Sequence, residues 1–414
     1  MLRKFFKESA GIDYILLLSV LFLIILGLVM ISSVSVFESY SVTQDLVKKG
    51  LRSVPSNDFY LIRSIMYSIF ALGVGILGFL IPVNLWEKTS KIIFGISLVL
   101  LLLTFTYYGN KLGGATAWLD IPGLPSIQPV EIYKLGLILY LSYWLNKKSD
   151  VLHSFEDGFL PYFARVGIFI FPLALQPDFG SILVIIPITM CLYIIAGGSV
   201  RYLLYVIAMS FLCAIIVIIS FSYIRNRVEV FLNPESDPTN KGVGWQIEQS
   251  LIAVGSGGLA GRGVGNSIQK FGYLPQVQGD SIFAAIAEEM GFIRLLFILG
   301  CFMIIAYRGM QVSLRNASPF GTLVCAGITI WITVQALINI GVNLNLVPLT
   351  GITLPFISYG GSSMVSLCLA VGILLAYSRD LQPVYEDHFY RRGDPRSRYP
   401  STYSSTYTKR QRNK

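Results

Sequence analysis

The sequence predicts an all-α fold: a polytopic integral membrane protein of about ten transmembrane helices, of the kind the roughly 30 Å hydrocarbon core demands, with both termini cytoplasmic. Three observations carry this. The chain is 54% hydrophobic and only 13% charged, where soluble domains run about a quarter charged. Its mean hydropathy is +0.65. Apolar runs near the roughly 20 residues that a spanning helix needs recur along its whole length.

In chain order the runs fall at 13–36, 60–82, 90–108, 130–146, 159–175, 179–198, 202–223, 281–306, 319–342 and 362–378. The first is too long for a signal-peptide core and no small-residue cleavage site follows it, so it reads as a retained anchor. The connectors set the orientation, because Lys and Arg in short loops resist translocation. Lys88 lies in connector 83–89, Lys147 and Lys148 in 147–158, Arg201 in 199–201, and Arg308 and Arg315 in 307–318. The short connectors of opposite parity, 176–178 and 343–361, carry no Lys or Arg. Arg3, Lys4 and Lys7 at one end and a basic tail at the other belong on the same cytoplasmic side.

Residues 1–380 form the membrane domain, and 381–414 a basic, disordered cytoplasmic tail with too few aliphatic residues for a core. The formal charge of +9 lies largely in that tail and implies attraction to anionic lipid head groups, not to nucleic acid. All five cysteines fall inside predicted spans, so they read as packing residues, and the two histidines, His153 and His388, fall on the cytoplasmic side. Neither pattern suggests a disulfide framework or a histidine-ligated metal on the outer face.

Three stretches outside the membrane are long: 37–59, 109–129 and 224–280. The last is the large extracytoplasmic loop. It begins turn-rich and becomes apolar and Gly-rich, which suits either a re-entrant element lining a cavity or a surface loop.

Ionisable residues inside spans need a partner or a water-filled cavity. Glu131 and Lys134, three apart at the outer end of the fourth span, share one helix face; they read either as a structural clamp or as a cation held ready for an anionic head group. Asp178, in "LQPDFG", reads foremost as the cap of the next helix. Arg165 and Arg294 read as snorkelling at cytoplasmic span ends, with no catalytic role. Asp280 stands directly before the eighth span, where an N-cap is the simplest reading. Its company argues for more: Glu288 and Glu289 follow in the same span, and Arg225, Arg227, Arg262 and Lys270 precede it. That mixture suits an anionic, lipid-linked substrate. Beside a helix N-terminus the pKa of Asp280 is expected to be low.

Four motifs, in order, resemble the SEDS (shape, elongation, division and sporulation) family that includes FtsW, RodA and SpoVE: "QPVEIYK" at 128–134, "QPDFG" at 176–180, "GWQIEQSLIAVGSGGLAGRGVGNSIQKFGYLPQVQGDSIFAAIAEEMGF" at 244–292 and "VPLTGITLPFISYGGSS" at 347–363. The likeness is closer to FtsW. It implies a peptidoglycan glycosyltransferase that polymerises lipid II, the undecaprenyl-pyrophosphoryl disaccharide peptide, at the outer face of the bacterial cytoplasmic membrane. It further implies Asp280 as catalytic residue, with substrate contacts from Glu131, Lys134, Asp178, Gln249, Ser256, Arg262, Lys270, Ser358, Ser362 and Ser363. Lys134 and Arg262 are the expected cations for the pyrophosphate, with a divalent cation (Mg or Mn) as helper and no other cofactor. A single-pass class B penicillin-binding transpeptidase and other divisome or elongasome proteins are the implied partners. "SYGGSS" reads equally as an oxygen-binding turn or as glycine-permitted packing of the tenth span.

The sequence departs from the family at Ala117, where members carry an Arg before Trp118, and at Gln276, where an acid is common. Two other classes fit parts of the pattern: a lipid II flippase and an inactive scaffold. The concentration of charged and Gly-rich motifs at the outer face favours the enzyme over the flippase, and the presence of both Asp280 and Lys134 favours it over the scaffold.

Overall fold

The computed structural model describes residues 11–379, except 113–114, 124 and 234–241. The basic tail, and Arg3, Lys4 and Lys7, lie outside the described residues.

The chain is helical almost throughout. Its helices are α1 (Tyr14–Val34), α2 (Val36–Lys48), α3 (Phe59–Leu80), α4 (Val83–Leu103), α5 (Pro129–Lys147), α6 (Leu160–Leu175), α7 (Phe179–Ile195), α8 (Leu203–Ser220), α9 (Ser222–Leu232), α10 (Val243–Gly257), α11 (Ile282–Leu314), α12 (Pro319–Asn343) and α13 (Gly361–Ser378). Among the described residues, seven helical segments are long and apolar enough to cross a membrane. Helices α4, α5 and α7 fill the remaining expected positions; the first two carry more charge and the third is shorter.

Local chemistry sets the helix starts. Asp13 caps α1 by accepting from Leu16 N at 3.0 Å, Asp178 caps α7 through Ser181 N at 3.1 Å, and Ser318 caps α12 with Pro319 in the first turn. Two expected boundaries shift. The third span begins at Val83, right after Pro82, so Glu87 and Lys88 lie inside α4 and not in a connector, and α11 runs on to Leu314, which takes Arg308 into the helix. The only strands among the described residues are a hairpin between α4 and α5, β1 (Gly109–Leu112) and β2 (Ala115–Leu119). Ala117 is buried in β2, beside a half-buried Trp118.

Helices α12 and α13 form the centre. Helix α12 packs on α5, α7 and α11, and α13 packs on α3, α5 and α12. Trp331 of α12 and Tyr133 of α5 are fully buried there. Helices α3 and α13 cross closely enough that a Cβ on Gly372 would stand 2.0 Å from the Gly75 carbonyl oxygen, the small-residue contact expected where lipid gives no hydrophobic drive for helix association. Helix α8 packs chiefly on α9 and the short turn before it, and presents Leu204, Ile207, Met209 and Phe211 outwards, as a lipid-facing helix does.

The start of α1, the end of α13 and the last third of α11 meet at one end of the bundle. Asp13 N donates to Ser378 Oγ at 3.2 Å and Arg308 Nε donates to Asp13 Oδ2 at 2.8 Å. That junction agrees with an even number of crossings.

The segment expected as a large loop is mostly built structure. Helices α9 and α10 occupy its flanks, and α10 runs beside the first turns of α11. The loop after α10 then packs at the level of Gly291, nine residues and about 14 Å along α11 from its start. There Arg262 N and Gly263 N donate to the carbonyls of Glu288 and Glu289, and Phe292 N donates to Gly258 O, each at 2.9 Å. Gly291, at φ 74°, breaks the helical course of α11. Its Cβ position lies 2.1 Å from Gly261 N, so only glycine fits this crossing. Of the two readings open in the sequence, this fold-back along α11, which takes up the backbone N–H groups of Arg262 and Gly263, fits the re-entrant one.

Candidate functional site

At the end of the bundle where α5, α7, α10 and α13 begin, the starts and loops converge on Asp280. The residue precedes α11, but Ser281 takes the N-cap position and no side-chain capping bond closes the helix. The capping reading of Asp280 therefore fails. Its backbone is instead pinned: Asn339 Nδ2 and Asn343 Nδ2 of α12 both donate to the Asp280 carbonyl, at 2.9 and 2.8 Å. Ser358 Oγ donates to Gly279 O at 2.7 Å, and Tyr359 N to Gln278 O at 2.8 Å.

The carboxylate is left for other work. Gln246 Nε2 of α10 approaches Oδ1 at 3.4 Å, held in turn by a 2.9 Å bond to Ser281 Oγ. The Cβ position of Gly351 meets Oδ2 at 3.9 Å and no other atom within 4 Å, so the carboxylate has open space on that side. Protein nonetheless crowds Asp280, and desolvation raises its pKa to about 6. Arg227, the Gln246 amide and nearby backbone N–H groups pull the other way and do not win. The low pKa expected from the helix N-terminus is thus corrected: burial outweighs the dipole.

Lys134 is fully buried in α5. Its Nζ donates to Glu131 Oε1 and to Gln335 Oε1, each at 2.8 Å, and lies 5.0 Å from the centre of the Trp331 ring. Gln335 passes the contact on, from Nε2 to Thr353 O at 3.2 Å, and Thr353 Oγ1 reaches Ser363 Oγ at 3.3 Å. Ser362 Oγ accepts from Gln128 N at 3.0 Å, tying α13 to the start of α5. Asp178 caps α7 and also accepts from Ser181 Oγ at 2.7 Å; burial raises its pKa, and the charges of Lys134 and Glu131 reach it.

The remaining expected residues sit elsewhere. Arg262 Nε pairs with Glu288 Oε1 at 3.6 Å, and Lys270 Nζ pairs with Glu289 Oε1 at 3.2 Å. Glu288 and Glu289 stand eight and nine residues beyond Asp280, about 12 Å or more down the helix. Ser33 Oγ of α1 donates to the same Glu289 at 2.7 Å. Arg262 and Lys270 therefore fasten the re-entrant loop and do not face Asp280. Arg294 donates to Ala260 O at 2.7 Å, which makes it a tether of that loop and not a snorkelling residue. Gln249 is buried in α10, and half-buried Ser256 bonds back to Ala253 O.

Sequence reasoning missed the amides of α12. Gln335, Asn339 and Asn343 recur every four residues in "QALINIGVN", a polar stripe inside an apolar span that was a readable signal. The same face holds the Lys134 ammonium and the Asp280 carbonyl in one frame.

Comparison with known proteins follows the same lines. The FtsW/RodA/SpoVE family model, described as cell cycle protein, matches residues 14–382. The chain is 35% identical over 384 residues to a probable peptidoglycan glycosyltransferase FtsW of Trichlorobacter lovleyi, covering 92% of this chain and 96% of that one. It is 35% identical to the stage V sporulation protein E of Bacillus subtilis, covering 89% and 97%. Among solved structures it resembles a chain of a peptidoglycan synthase complex that coordinates polymerization and crosslinking, with TM-score 0.69, 26% identity and coverage of 89% and 98%. It also resembles the rod shape determining protein RodA of Thermus thermophilus, with TM-score 0.58, 25% identity and coverage of 90% and 98%.

Proposed function

Since the chain belongs to the FtsW/RodA/SpoVE family, we propose that it is a peptidoglycan glycosyltransferase, nearer to FtsW than to RodA, which polymerises lipid II into glycan strands at the outer face of the bacterial cytoplasmic membrane. The observation that carries this reading is Asp280: an acid whose backbone is clamped on both sides while its carboxylate faces open space.

Glycosyl transfer needs a group to take the proton from the acceptor sugar's hydroxyl as that oxygen attacks the donor's anomeric carbon. A carboxylate poised near pH 6 is a better base than an ordinary surface Asp and is still ionised at neutral pH. Holding the acceptor against it converts an encounter into a positioned reaction. The lipid pyrophosphate departs with the bonding electron pair, and positive charge must meet it.

The expected divalent helper finds only a partial donor set. Among the described residues no group of three or more His, Cys, Asp or Glu side chains could hold a metal. A magnesium ion beside Asp280 would take most of its ligands from water and substrate phosphate, and no step here runs through one. The likeness to a chain of a synthase complex that also crosslinks supports a penicillin-binding transpeptidase as partner.

The test is polymerisation of labelled lipid II by the purified full chain with its transpeptidase, native against Asp280→Asn. Strands from the native complex and none from the folded mutant are expected; strands from both would remove Asp280 from the chemistry, and none from either would remove the polymerase reading.

A further inference from the structure

The sequence offers several cations for the pyrophosphate, but the structure disposes of most of them. Lys134 is buried and already held by Glu131, Gln335 and the Trp331 ring. Lys270 is buried against Glu289, and Arg262 is bound to Glu288 a dozen ångströms away. Arg227 differs. Among the described residues it makes no ion pair within 4 Å, and its Nε is buried without a hydrogen-bond partner.

Its surroundings aim it. The guanidinium lies 4.4 Å from the centre of the Tyr223 ring on the same helix, and Nη1 donates to Leu349 O at 2.8 Å. Two residues on, Gly351 leaves the open space beside Asp280 Oδ2. Segment 349–351 thus touches both groups: Leu349 O accepts from the Arg227 guanidinium, Gly351 stands beside the Asp280 carboxylate, and the two charges interact without forming an ion pair within 4 Å. A guanidinium with spare N–H donors suits a diphosphate, which it can grip at two oxygens.

We propose that Arg227 is the cation that takes the lipid-linked diphosphate leaving group, opposite the Asp280 that takes the acceptor's proton. The inference rests on the polymerase reading above. In the step, the acceptor oxygen forms the new bond to the anomeric carbon while its proton moves to Asp280. The anomeric carbon–phosphate oxygen bond breaks, and its electron pair stays on the diphosphate, whose added charge Arg227 meets.

The test uses the full chain with its transpeptidase and compares native, Arg227→Lys, Arg227→Gln and, as a control for charge on the same helix, Arg225→Gln. Arg225 is exposed, and among the hydrogen bonds described its side chain bonds only to Ile219 O. Polymerisation should fall on the order of 10² to 10³-fold in Arg227→Gln, less in Arg227→Lys, and stay near native in Arg225→Gln. Inhibition by added undecaprenyl diphosphate should weaken in the same order, about tenfold or more for Arg227→Gln.

A second readout separates chemistry from folding. Tyr223 and Arg227 of α9 and Gln246 of α10 face Asp280, with Asp178 beyond Tyr223, and Arg227 is the cation among them. Removing it should move the acid limb of the pH profile up by about one unit. This readout applies to Arg227→Lys if Arg227→Gln does not fold: lysine keeps the charge, so its limb should stay while its inhibition constant rises. A folded Arg227→Gln with native turnover and native inhibition overturns the inference, as does an equal loss in Arg225→Gln. A native complex without activity overturns the polymerase reading itself.

Discussion

Asn343 of α12 donates its side-chain amide to the backbone carbonyl of Asp280 at 2.8 Å, from one turn beyond Asn339, which donates to the same oxygen at 2.9 Å. One carbonyl accepts two donors, so either can hold the acid's backbone if the other is lost. Asn339→Ala or Asn343→Ala alone should reduce lipid II polymerisation only a few-fold. The double variant strands a buried carbonyl, at about 1–3 kcal/mol, and should reduce it more than the product of the singles. Equal single and double effects would show that the two bonds do not share one task.

Polymerisation should lose half its rate near pH 6 as Asp280 protonates, measured as initial rate against pH with the partner present. The stability sign is opposite. A carboxyl whose folded pKa lies above its unfolded value favours the protonated form in the fold, so its ionisation costs stability above pH 6, and the cost disappears as pH falls from 6 towards 4. Asp280→Asn should therefore be more stable than native at pH 7, by at most about 3 kcal/mol, and the gap in thermal midpoint should narrow to about a third of that by pH 4.5 and close only below pH 4.

Lys134→Met should leave Glu131 buried and unpaired, since Glu131 Oε2 already lacks a partner. A loss of about 3–5 kcal/mol is expected, read as a lower thermal midpoint in detergent. Adding Glu131→Gln should recover most of it; a double variant as unstable as the single would mean that the clamp's charge pairing is not what the fold depends on.

Gly291→Ala should give little monodisperse protein, because the new methyl meets Gly261 N at 2.1 Å in a positive-φ backbone. Gly300→Ala, in the same helix with nothing within 4 Å of its Cβ position, is the matched control and should behave as native on size-exclusion chromatography.

Length and hydropathy were enough to read the spanning helices, because a run of apolar residues has few alternatives in a bilayer. They misplaced the start of α4, where Glu87 and Lys88 disguise helix as connector, and they missed the hairpin after it. Motif likeness singled out Asp280, Glu131 and Lys134. What the linear sequence did not reveal was which cation faces which acid. Arg227, Arg262 and Lys270 look alike in a loop, and only the fold-back of residues 258–270 onto Glu288 and Glu289 separates them. The pKa of Asp280 was misjudged for the same reason: the helix terminus is visible in sequence, the crowding around it is not.

The re-entrant element also constrains the order of events during synthesis. Ser267, Ile268 and Gln269 bond to Glu288, and Gly263 N to Glu289 O, so these partners all emerge later than the groups they satisfy. Until α11 has been translated and inserted, residues 258–270 have nowhere dry to go, and their backbone stays with water or head groups. The end of the molecule that holds Asp280 is completed later still, by α12 and Ser358, so a nascent chain stopped before Gly291 carries Asp280 without the groups that pin it.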